Sequence, residues 1–414
     1  MNAEIIAVGS ELLLGQITNT NAKFLSTQLS ELGINVYFHT VVGDNATRLK
    51  QAIELAEQRA DLIILTGGLG PTKDDLTKHT VAAHLDESLI FDKASLEGIE
   101  QYFRHIGREM TENNRQQALV LKNAQILANN YGMAPGMLYK KKKHAYVLLP
   151  GPPREMQPMF VEQLKPILEK ALYENAKIVS HVLRFYGIGE AELETKVADL
   201  LEQQSNPTIA PLASDGEVMI RITARASSEH EATHLITAVR AEIESRVGPF
   251  IYGYDNDSLH SRVIELCQLK GYTIASAESL TGGLFASELI SSMNGASKVV
   301  AGSIVAYTAQ AKIEQLGVEQ SLIEQFGVVS SECAARMAVR SREIFHTSFG
   351  VSFTGIAGPY AEGDIAAGTI WVGFALPNGE VRTKLLQLKG DRNMNRIRTV
   401  KFALSYLIKY LKEQ

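Results

Sequence analysis

The strongest constraint on the fold is a short apolar segment, Asp61-Leu62-Ile63-Ile64-Leu65, that is followed directly by a glycine-rich loop. A strand that is apolar on both faces requires cover on both sides, as in a parallel sheet between helices. A short apolar run at 5–8 and a strand-like segment at 36–42 alternate with helical periodicity at 19–32 and 47–59. This alternation predicts a doubly wound α/β domain in the first part of the chain.

Two further regions follow. Residues 178–252 show the pattern strand, helix, two strands and helix, which is typical of a small α+β domain, and Gly248-Pro249 is a turn signal near its end. From Ser258 onward, strands and helices alternate again. We therefore expect an α/β multidomain protein with an α/β domain at 1–172, a middle α+β domain at 173–253 and a second α/β domain at 254–414.

Charge and cysteine content exclude several classes of protein. The chain has 41 Lys and Arg against 46 Asp and Glu, a formal net charge of −5, which argues against a dedicated nucleic-acid binder. Cys267 and Cys333 are too few for a disulfide framework and lack the spacing of a zinc site. Residues 1–9 lack the pattern of a signal peptide, and no apolar run approaches the roughly 18 residues of a membrane helix. We expect a cytoplasmic protein without a membrane partner.

The loop after the buried strand is the densest candidate site of the first domain. It reads Thr66-Gly67-Gly68-Leu69-Gly70-Pro71-Thr72-Lys73-Asp74-Asp75-Leu76-Thr77 and precedes a helical pattern. Glycine flexibility lets backbone N–H groups approach an anion, and the helix N-terminus adds partial positive charge. Asp74 and Asp75 carry the oxygen ligands that divalent cations prefer. The alternative interpretation is a tight turn in which the aspartates act as N-caps.

Three other loops would lie close to the loop at 66–77 if they leave the sheet at the same edge. They comprise residues 9–15, 129–136 and 149–153. Open α/β sheets bind ligands at the carboxyl ends of their strands, so the loops would converge on a nucleotide if they lie at that edge. Glu11 is a candidate metal ligand or base, and the alternative is a charge at a helix N-terminus.

A second candidate site is the segment Ala277-Glu278-Ser279-Leu280-Thr281-Gly282-Gly283, a strand end followed by a turn and a helix. Ser279 stands where a nucleophile with an oxyanion hole, a phosphate anchor or a helix N-cap would lie. A nucleophilic serine needs a base, and no histidine lies near it in the chain. Lys312 could serve if burial lowers its pKa, whereas a lysine on an exposed helix is the alternative.

Five segments of the first domain resemble the CinA family, and the resemblance covers essentially the whole chain. They are residues 9–13, 67–77, 113–117, 132–136 and 149–156. The first domain of that family resembles molybdopterin-binding proteins of the MoaB/MogA type. The resemblance implies metal-dependent hydrolysis of ADP-ribose to AMP and ribose 5-phosphate, with a divalent ion of open identity and potassium as a second candidate cofactor. It implies a nucleotide site at Glu11, Gly67, Gly68, Gly70, Thr72, Thr77, Gly132, Pro135, Gly136 and Gly151, and metal ligands at Asp74 and Asp75.

The last domain is similar to the nicotinamide mononucleotide (NMN) deamidase, or PncC, domain, which is the C-terminal domain of CinA proteins. Residues 277–283, 307–312, 355–359 and 390–392 carry the similarity. It implies hydrolysis of NMN to nicotinate mononucleotide and ammonia without a cofactor, with Ser279 as nucleophile, Lys312 as general base and Tyr307 as a positioning neighbour. The implied substrate-binding residues are Thr281, Gly282, Gly283, Ser297, Gly355, Gly358 and Arg392, the last for the phosphate.

The middle region resembles a KH-like domain. Its segment Gly187-Ile188-Gly189-Glu190, followed by Glu192 and Glu194, is acidic where a nucleic-acid backbone clamp is basic, so we do not expect nucleic acid as a partner. The family resemblance further implies a homodimer or a larger homo-oligomer.

The chain departs from the deamidase pattern at two places. Ala309 stands where the family has an asparagine, and residues 360–363 replace a glycine-rich turn. These departures favour an alternative function, a non-catalytic nucleotide-sensing or competence-related binding protein. The retained Ser279 and Lys312, with Asp74 and Asp75 in the first domain, favour the bifunctional hydrolase.

Overall fold

The computed structural model describes residues 1–172, 177–214, 216–291 and 295–414. The predicted boundary at residue 173 lies outside these residues. The chain divides into two compact units, one made of residues 1–178 with 225–231 and the other of 179–224 with 232–414. Within the described ranges, no helix is both long and apolar enough to cross a membrane.

The N-terminal domain is a six-stranded sheet between helices, in the strand order β2-β1-β3-β8-β7-β6. The strands are β1 Asn2–Val8, β2 Asn35–Val42, β3 Leu62–Thr66, β6 Gln125–Leu127, β7 Gly136–Lys141 and β8 His144–Leu149, and β4 Leu89–Phe91 pairs with β5 Leu119–Leu121 in a separate ribbon. The helices are α1 Ser10–Leu13, α2 Thr20–Glu31, α3 Ala46–Ala56, α4 Thr77–His84, α5 Lys93–His105, α6 Glu112–Arg115, α7 Pro153–Met159 and α8 Lys165–Leu172.

The four strands β2, β1, β3 and β8 are parallel, and β7 and β6 continue the sheet antiparallel. Every residue of β3 is buried, because helices cover both faces of the sheet, as its apolar sequence requires. Since the strands are parallel, the loops after β1, β3 and β8 leave the sheet at one edge.

The middle segment forms a four-stranded sheet in the order β10-β11-β9-β12. Its elements are β9 Lys177–Tyr186, α9 Glu190–Lys196, α10 Ala198–Glu202, β10 Thr208–Ser214, β11 Glu217–Ala226, α11 Glu229–Val247 and β12 Ile251–Tyr254. The first helix of the pattern that the sequence predicts here is in fact two helices, α9 and α10, because Val197 between them leaves the helical region with φ −122°.

The C-terminal domain is a five-stranded sheet in the order β14-β13-β15-β16-β17. Its strands are β13 Ile274–Glu278, β14 Val300–Val305, β15 Phe349–Gly355, β16 Thr369–Ala375 and β17 Val381–Gln387, and its helices are α12 Leu259–Lys270, α13 Leu284–Ser291, α14 Ala309–Glu314, α15 Gln320–Phe326, α16 Ser331–Phe345 and α17 Arg392–Glu413. Strands β14, β13 and β15 are parallel, so their carboxyl ends share one edge.

Contacts explain why the middle segment and the C-terminal domain fall largely into one unit. Lys401 of α17 forms a 2.7 Å ion pair with Glu217 of β11, and Lys412 donates to the carbonyl oxygen of Ile251 at 2.9 Å. Tyr252 of β12 belongs to the core of the C-terminal domain.

Candidate functional site

Ser279 and Lys312 meet at the carboxyl edge of the C-terminal sheet. Ser279 directly follows β13, and Lys312 lies on α14. The Lys312 Nζ donates to Ser279 Oγ at 3.1 Å, and also to the carbonyl oxygens of Ala306 at 3.0 Å and Tyr307 at 3.5 Å. Ser279 is 6% and Lys312 2% exposed. The lysine therefore stands at hydrogen-bond distance from the hydroxyl, in a site shielded from water.

The environment of Lys312 favours its neutral form. Burial lowers the pKa of Lys312, and the nearby Cys333 opposes that shift only in part. Among the described residues no carboxylate pairs with the ammonium group, whose partners are a hydroxyl and two carbonyls. The alternative interpretation of Lys312 as an exposed helix residue is wrong.

The helix that carries Lys312 begins at a fixed position. Strand β14 ends at Val305, and Thr308 caps α14 by accepting from the backbone N–H of Ala311 at 3.1 Å. Beyond the end of this strand, Ala306 and Tyr307 turn their carbonyls toward Lys312.

Helix α13 is capped by Glu278 and not by Ser279. The carboxylate of Glu278 is fully buried and accepts from the backbone N–H groups of Phe285 at 3.1 Å and Ala286 at 3.0 Å. The hydroxyls of Ser276 and Ser303 lie 3.2 Å from its Oε1. The interpretation of Ser279 as an N-cap is therefore wrong, and its hydroxyl stays available to Lys312.

The turn that follows Ser279 contains backbone N–H groups without a hydrogen-bond partner. Gly282 and Gly283 adopt φ values of 60° and 89°, a region that favours glycine. Within the described chain, the N–H groups of Thr281 and Gly283 form no hydrogen bond, whereas that of Gly282 donates to the Ser279 carbonyl at 3.1 Å. Free N–H groups that follow a nucleophile by two and four residues are candidates for an oxyanion hole.

The first turn of α17 connects three loops around Ser279. Arg392 donates to the carbonyl oxygen of Gly358 at 3.0 Å and to Tyr307 Oη at 2.9 Å. Asn395 donates to the carbonyls of Ala357 and Gly390, both at 2.9 Å. Arg396 donates to the carbonyl oxygen of Thr281 at 2.8 Å. Among the predicted residues, Arg392 thus contacts both Tyr307 and Gly358, and Gly355 ends the adjacent strand β15.

Ser297 does not belong to this site. It lies in the 3₁₀ turn Ala296–Lys298 before β14, whereas Ser279 follows the carboxyl end of the parallel strand β13. The six residues of β14 separate the two edges, which at about 3.3 Å per residue is roughly 20 Å. The predicted substrate-binding role of Ser297 is therefore contradicted by the order of the strands.

The N-terminal domain has a cleft of about 1420 Å³ at the carboxyl edge of its sheet. This volume exceeds the roughly 300–1000 Å³ of common small-molecule pockets. The predicted residues that line it are Glu11, Gly67, Gly68, Gly70, Thr72, Asp74, Asp75, Gly132 and Gly151. The loops after β1, β3 and β8 and the segment before β7 thus converge on one cleft.

Three of the predicted residues do not line the cleft. Thr77 is fully buried, and its hydroxyl donates to the carbonyl oxygen of Gly67 at 2.7 Å, so that it fixes the loop from behind. Gly136 lies at the start of β7, where a Cβ atom would approach Met159 Sδ to 2.4 Å, so it serves close packing. Pro135 is likewise absent from the lining.

Gly67 is required by the geometry of the loop. Its φ is 103°, and a Cβ atom there would lie 2.2 Å from the carbonyl oxygen of Val8. The alternative interpretation of the aspartates as N-caps is wrong, since α4 has Leu76 at its N-cap without a side-chain cap bond. Instead, Asp75 Oδ2 accepts from the N–H and hydroxyl of Thr72 at 2.8 and 2.7 Å.

Asp74 and Asp75 could hold a metal ion only together with ligand atoms from a bound substrate. Across the described residues, no group of three or more His, Cys, Asp and Glu side chains could hold an ion. Asp74 is exposed, and both hydrogen bonds of Asp75 go to Oδ2, which leaves Oδ1 for another contact. Mg²⁺ is often bound by one or two carboxylates together with substrate phosphates, and this donor set fits that arrangement.

Three family models match the chain in succession. Residues 4–170 match a probable molybdopterin binding domain, 180–253 the damage-inducible protein CinA KH domain, and 256–411 the CinA C-terminal domain. A competence-damage inducible protein of Lysinibacillus sphaericus is 58% identical over 414 residues, which are 100% of this chain and 99% of that protein. One of a Geobacillus species is 53% identical over 411 residues, 99% of each. The chain belongs to the CinA family.

Solved structures of CinA and MoaB proteins also resemble parts of the chain. CinA from Thermoplasma acidophilum is 32% identical and covers 40% of this chain and 97% of its own, with a TM-score of 0.37. MoaB from Thermus is 20% identical and covers 41% and 93%, with a TM-score of 0.29. The predicted family and the predicted fold class, a MoaB/MogA-like domain, a KH-like domain and a CinA C-terminal domain, are confirmed by the family matches.

Sequence reasoning missed three residues of the CinA C-terminal domain. Glu278 is a charged residue at the end of an otherwise small and apolar strand, and this contrast could have signalled a buried role. Asn395 and Arg396 follow Arg392 by three and four residues, the spacing of one helical face. That periodicity would have placed them beside Arg392, but not their partners in the loops.

Proposed function

We propose that the C-terminal domain is an amidohydrolase that converts NMN to nicotinate mononucleotide and ammonia. The observation that carries the proposal is the 3.1 Å contact between Lys312 Nζ and Ser279 Oγ in a buried site. Burial lowers the pKa of Lys312, so a larger fraction of the amine is neutral at physiological pH and can accept a proton.

The mechanism is acyl transfer. Neutral Lys312 takes the Ser279 hydroxyl proton while Oγ attacks the carboxamide carbon of the substrate. The oxyanion accepts from the free N–H groups of the turn 281–283. The C–N bond breaks as Lys312 returns the proton to the leaving ammonia. Water then attacks the acyl-enzyme, with Lys312 taking its proton, and Ser279 leaves with that proton as nicotinate mononucleotide is released.

Arg392 is the residue that we assign to the substrate phosphate. Its guanidinium is exposed and reaches the site through Tyr307 and Gly358. A planar guanidinium binds phosphate in a bidentate fashion, so a phosphate would replace its contact with Tyr307 Oη.

The test is release of ammonia and nicotinate mononucleotide from NMN, in the presence of chelator, by wild type, Ser279→Ala and Lys312→Ala. We expect turnover by wild type alone. A folded wild type without turnover contradicts the proposal, as does turnover by either variant at the wild-type rate.

We further propose that the N-terminal domain hydrolyses ADP-ribose to AMP and ribose 5-phosphate. The supporting observation is the large cleft on which the glycine loop and the two aspartates converge. Asp74 and Asp75 would hold a divalent ion together with the ligand phosphates. Such an ion neutralises phosphate charge and activates water when bound. The test is AMP release from ADP-ribose with Mg²⁺ or Mn²⁺, with and without potassium, against a chelator control.

A nucleotide-binding protein without turnover is the second candidate, and the departures from the deamidase pattern favour it. Ala309 and Tyr360 are both exposed, Tyr360 to 83%. Neither contacts Ser279 or Lys312 through a hydrogen bond among the residues described. NMN binding by calorimetry without ammonia release would support this second candidate over the deamidase.

A further inference from the structure

Two amides that line the N-terminal cleft, those of Asn21 and Gln117, have a buried oxygen without a hydrogen-bond partner among the described residues. The Nδ2 atom of Asn21 donates to Thr66 Oγ1 and to the carbonyl oxygen of Gly151, whereas no hydrogen bond of the Gln117 amide is found among those residues. Gln117 lines the cleft and is 8% exposed, and its Oε1 atom is buried without a partner in the described part of the chain. Buried polar groups are almost always hydrogen-bonded, because an unpaired one keeps the whole cost of leaving water. The unpaired acceptor therefore points to a donor supplied from outside the chain.

A second glutamine of the same cleft shows the ordinary behaviour. Gln163 also lines the cleft, but its Oε1 accepts from the N–H of Ala128 at 2.7 Å and its Nε2 donates to the carbonyl of Ala128 at 2.5 Å. Gln163 thus has partners at both ends of its amide and Asn21 at its nitrogen, which leaves Gln117 as the amide free for a ligand at both ends among the described residues.

The backbone holds Gln117 in place. It lies in the 3₁₀ turn Gln116–Ala118, and Lys78 of α4, itself 1% exposed, donates to the carbonyls of Gln116 at 2.5 Å and Gln117 at 3.4 Å. Ala118 is fully buried. The turn is fixed by these contacts, so the position of the amide is set before a ligand arrives.

The wall next to this turn suits a flat ring. The turn packs against α5, whose residues Gly98, Ile99 and Tyr102 line the cleft. A Cβ atom at Gly98 would meet nothing within 4 Å, so the glycine leaves open space, and Tyr102 is 48% exposed. Aromatic and apolar surface beside a polar amide is the combination that binds a planar base by stacking and by its edge.

We propose that Gln117 recognises the base of the nucleotide in this cleft, and that the base is adenine. An amide matches adenine in two places, since Oε1 accepts from the exocyclic amine while Nε2 donates to a ring nitrogen. The glycine loop and the aspartates at 67–75 would then take the phosphates. This inference rests on the proposed nucleotide binding of the N-terminal domain, but not on hydrolysis.

The test uses the full chain with Gln117→Met, a change that keeps side-chain volume and removes the amide. Calorimetric titration with AMP and with ribose 5-phosphate separates the base from the sugar phosphate. We expect AMP to bind at least tenfold more weakly than to wild type, and ribose 5-phosphate within twofold of wild type. The melting temperature without ligand should rise, because an unpaired buried amide has been removed.

The matched control is Gln163→Met. Its melting temperature should change little, because the two bonds to Ala128 that it removes are solvent-exposed and water can replace them. AMP binding should stay within twofold of wild type.

Three results would overturn the inference. A lower melting temperature for Gln117→Met would show that the amide is paired within the protein. Equal weakening of AMP and ribose 5-phosphate would place Gln117 on the sugar phosphate. AMP binding at wild-type strength would remove its role in base recognition. A wild type that binds neither AMP nor ADP-ribose would instead refute the proposed nucleotide site itself.

Discussion

The two candidate sites differ in how far the protein completes them by itself. Around Ser279, Lys312, Glu278 and Arg396 each fix one piece of backbone or side chain by a hydrogen bond. Thr281 Oγ1 and Asn395 Oδ1 are buried there without a partner among the described residues. In the N-terminal cleft, Asp74 is exposed and Gln117 Oε1 is unpaired among the described residues. In the first site the nucleophile and its base are already in contact. In the second, the two aspartates do not contact one another and need a ligand to complete a metal site.

The largest expected effect separates the base function of Lys312 from its charge. Lys312→Arg keeps a cation but removes a group that can lose its proton, since arginine stays charged in proteins. We expect NMN deamidation to fall by at least about 10³-fold, the scale seen when a member of a catalytic unit is lost. The measurement is kcat/KM for ammonia release, with circular dichroism as the control for folding. A variant that retains a tenth of the activity would mean that Lys312 acts as a fixed charge.

The pH dependence should follow from the same residue. Burial lowers the pKa of Lys312, so the neutral base is more abundant at a given pH than on a free lysine. Below that lowered pKa, the neutral fraction rises about tenfold per pH unit, and kcat/KM should rise with it and then level off. The check is a pH profile of NMN deamidation, with the folded fraction measured at each pH. A kcat/KM that does not rise with pH before it levels off would contradict general base catalysis by Lys312.

A substitution of Glu278 tests whether the turn that carries Ser279 depends on the hydrogen bonds of this buried carboxylate. Glu278→Gln replaces an acceptor oxygen with an amide donor that faces the N–H of Phe285 or Ala286. We expect a loss of about 2 kcal/mol in the free energy of unfolding, as for hydrogen bonds to a buried charge. We also expect kcat to fall about tenfold or more with little change in KM, because the turn that presents Ser279 shifts. Urea unfolding and steady-state kinetics measure the two effects. A change in KM alone would place Glu278 in substrate binding instead.

Some features of the two sites could be predicted from the sequence and others could not, for physical reasons. Parallel strands and their loops followed from the apolar β3 segment, because a buried strand allows few sequences and forces its loops to one edge. Ser297 was assigned wrongly, since a serine near a strand carries no mark of the edge on which it lies. The burial of Lys312 depends on the capping of α14 by Thr308 and on packing of distant elements, neither of which periodicity reports.

In the N-terminal cleft, substitutions of the two aspartates should differ in their effect on the melting temperature. Asp74 is exposed, whereas Asp75 also holds Thr72 through its N–H and hydroxyl. Asp74→Asn should lower metal-dependent AMP release from ADP-ribose about tenfold without a change in melting temperature. Asp75→Asn should lower both quantities, because the loop loses a charged acceptor. AMP release across a metal titration and thermal unfolding provide the readouts. Equal melting temperatures for the two variants would contradict the bracing role of Asp75.

The smallest expected effect concerns the departure at Ala309. This residue is the first of α14, is exposed, and lies beside the cap Thr308, while Lys312 keeps its contact with Ser279 despite the missing amide. Because the dyad is positioned by Thr308 and by the carbonyls of Ala306 and Tyr307, Ala309→Asn should change kcat/KM for NMN by less than about twofold. Thr308→Ala is the informative partner, since loss of the cap should cost about 1 kcal/mol of stability and reduce activity more than Ala309→Asn does. A tenfold gain from Ala309→Asn would mean that an amide at this position contacts the substrate, and that the site is less complete than its hydrogen bonds indicate.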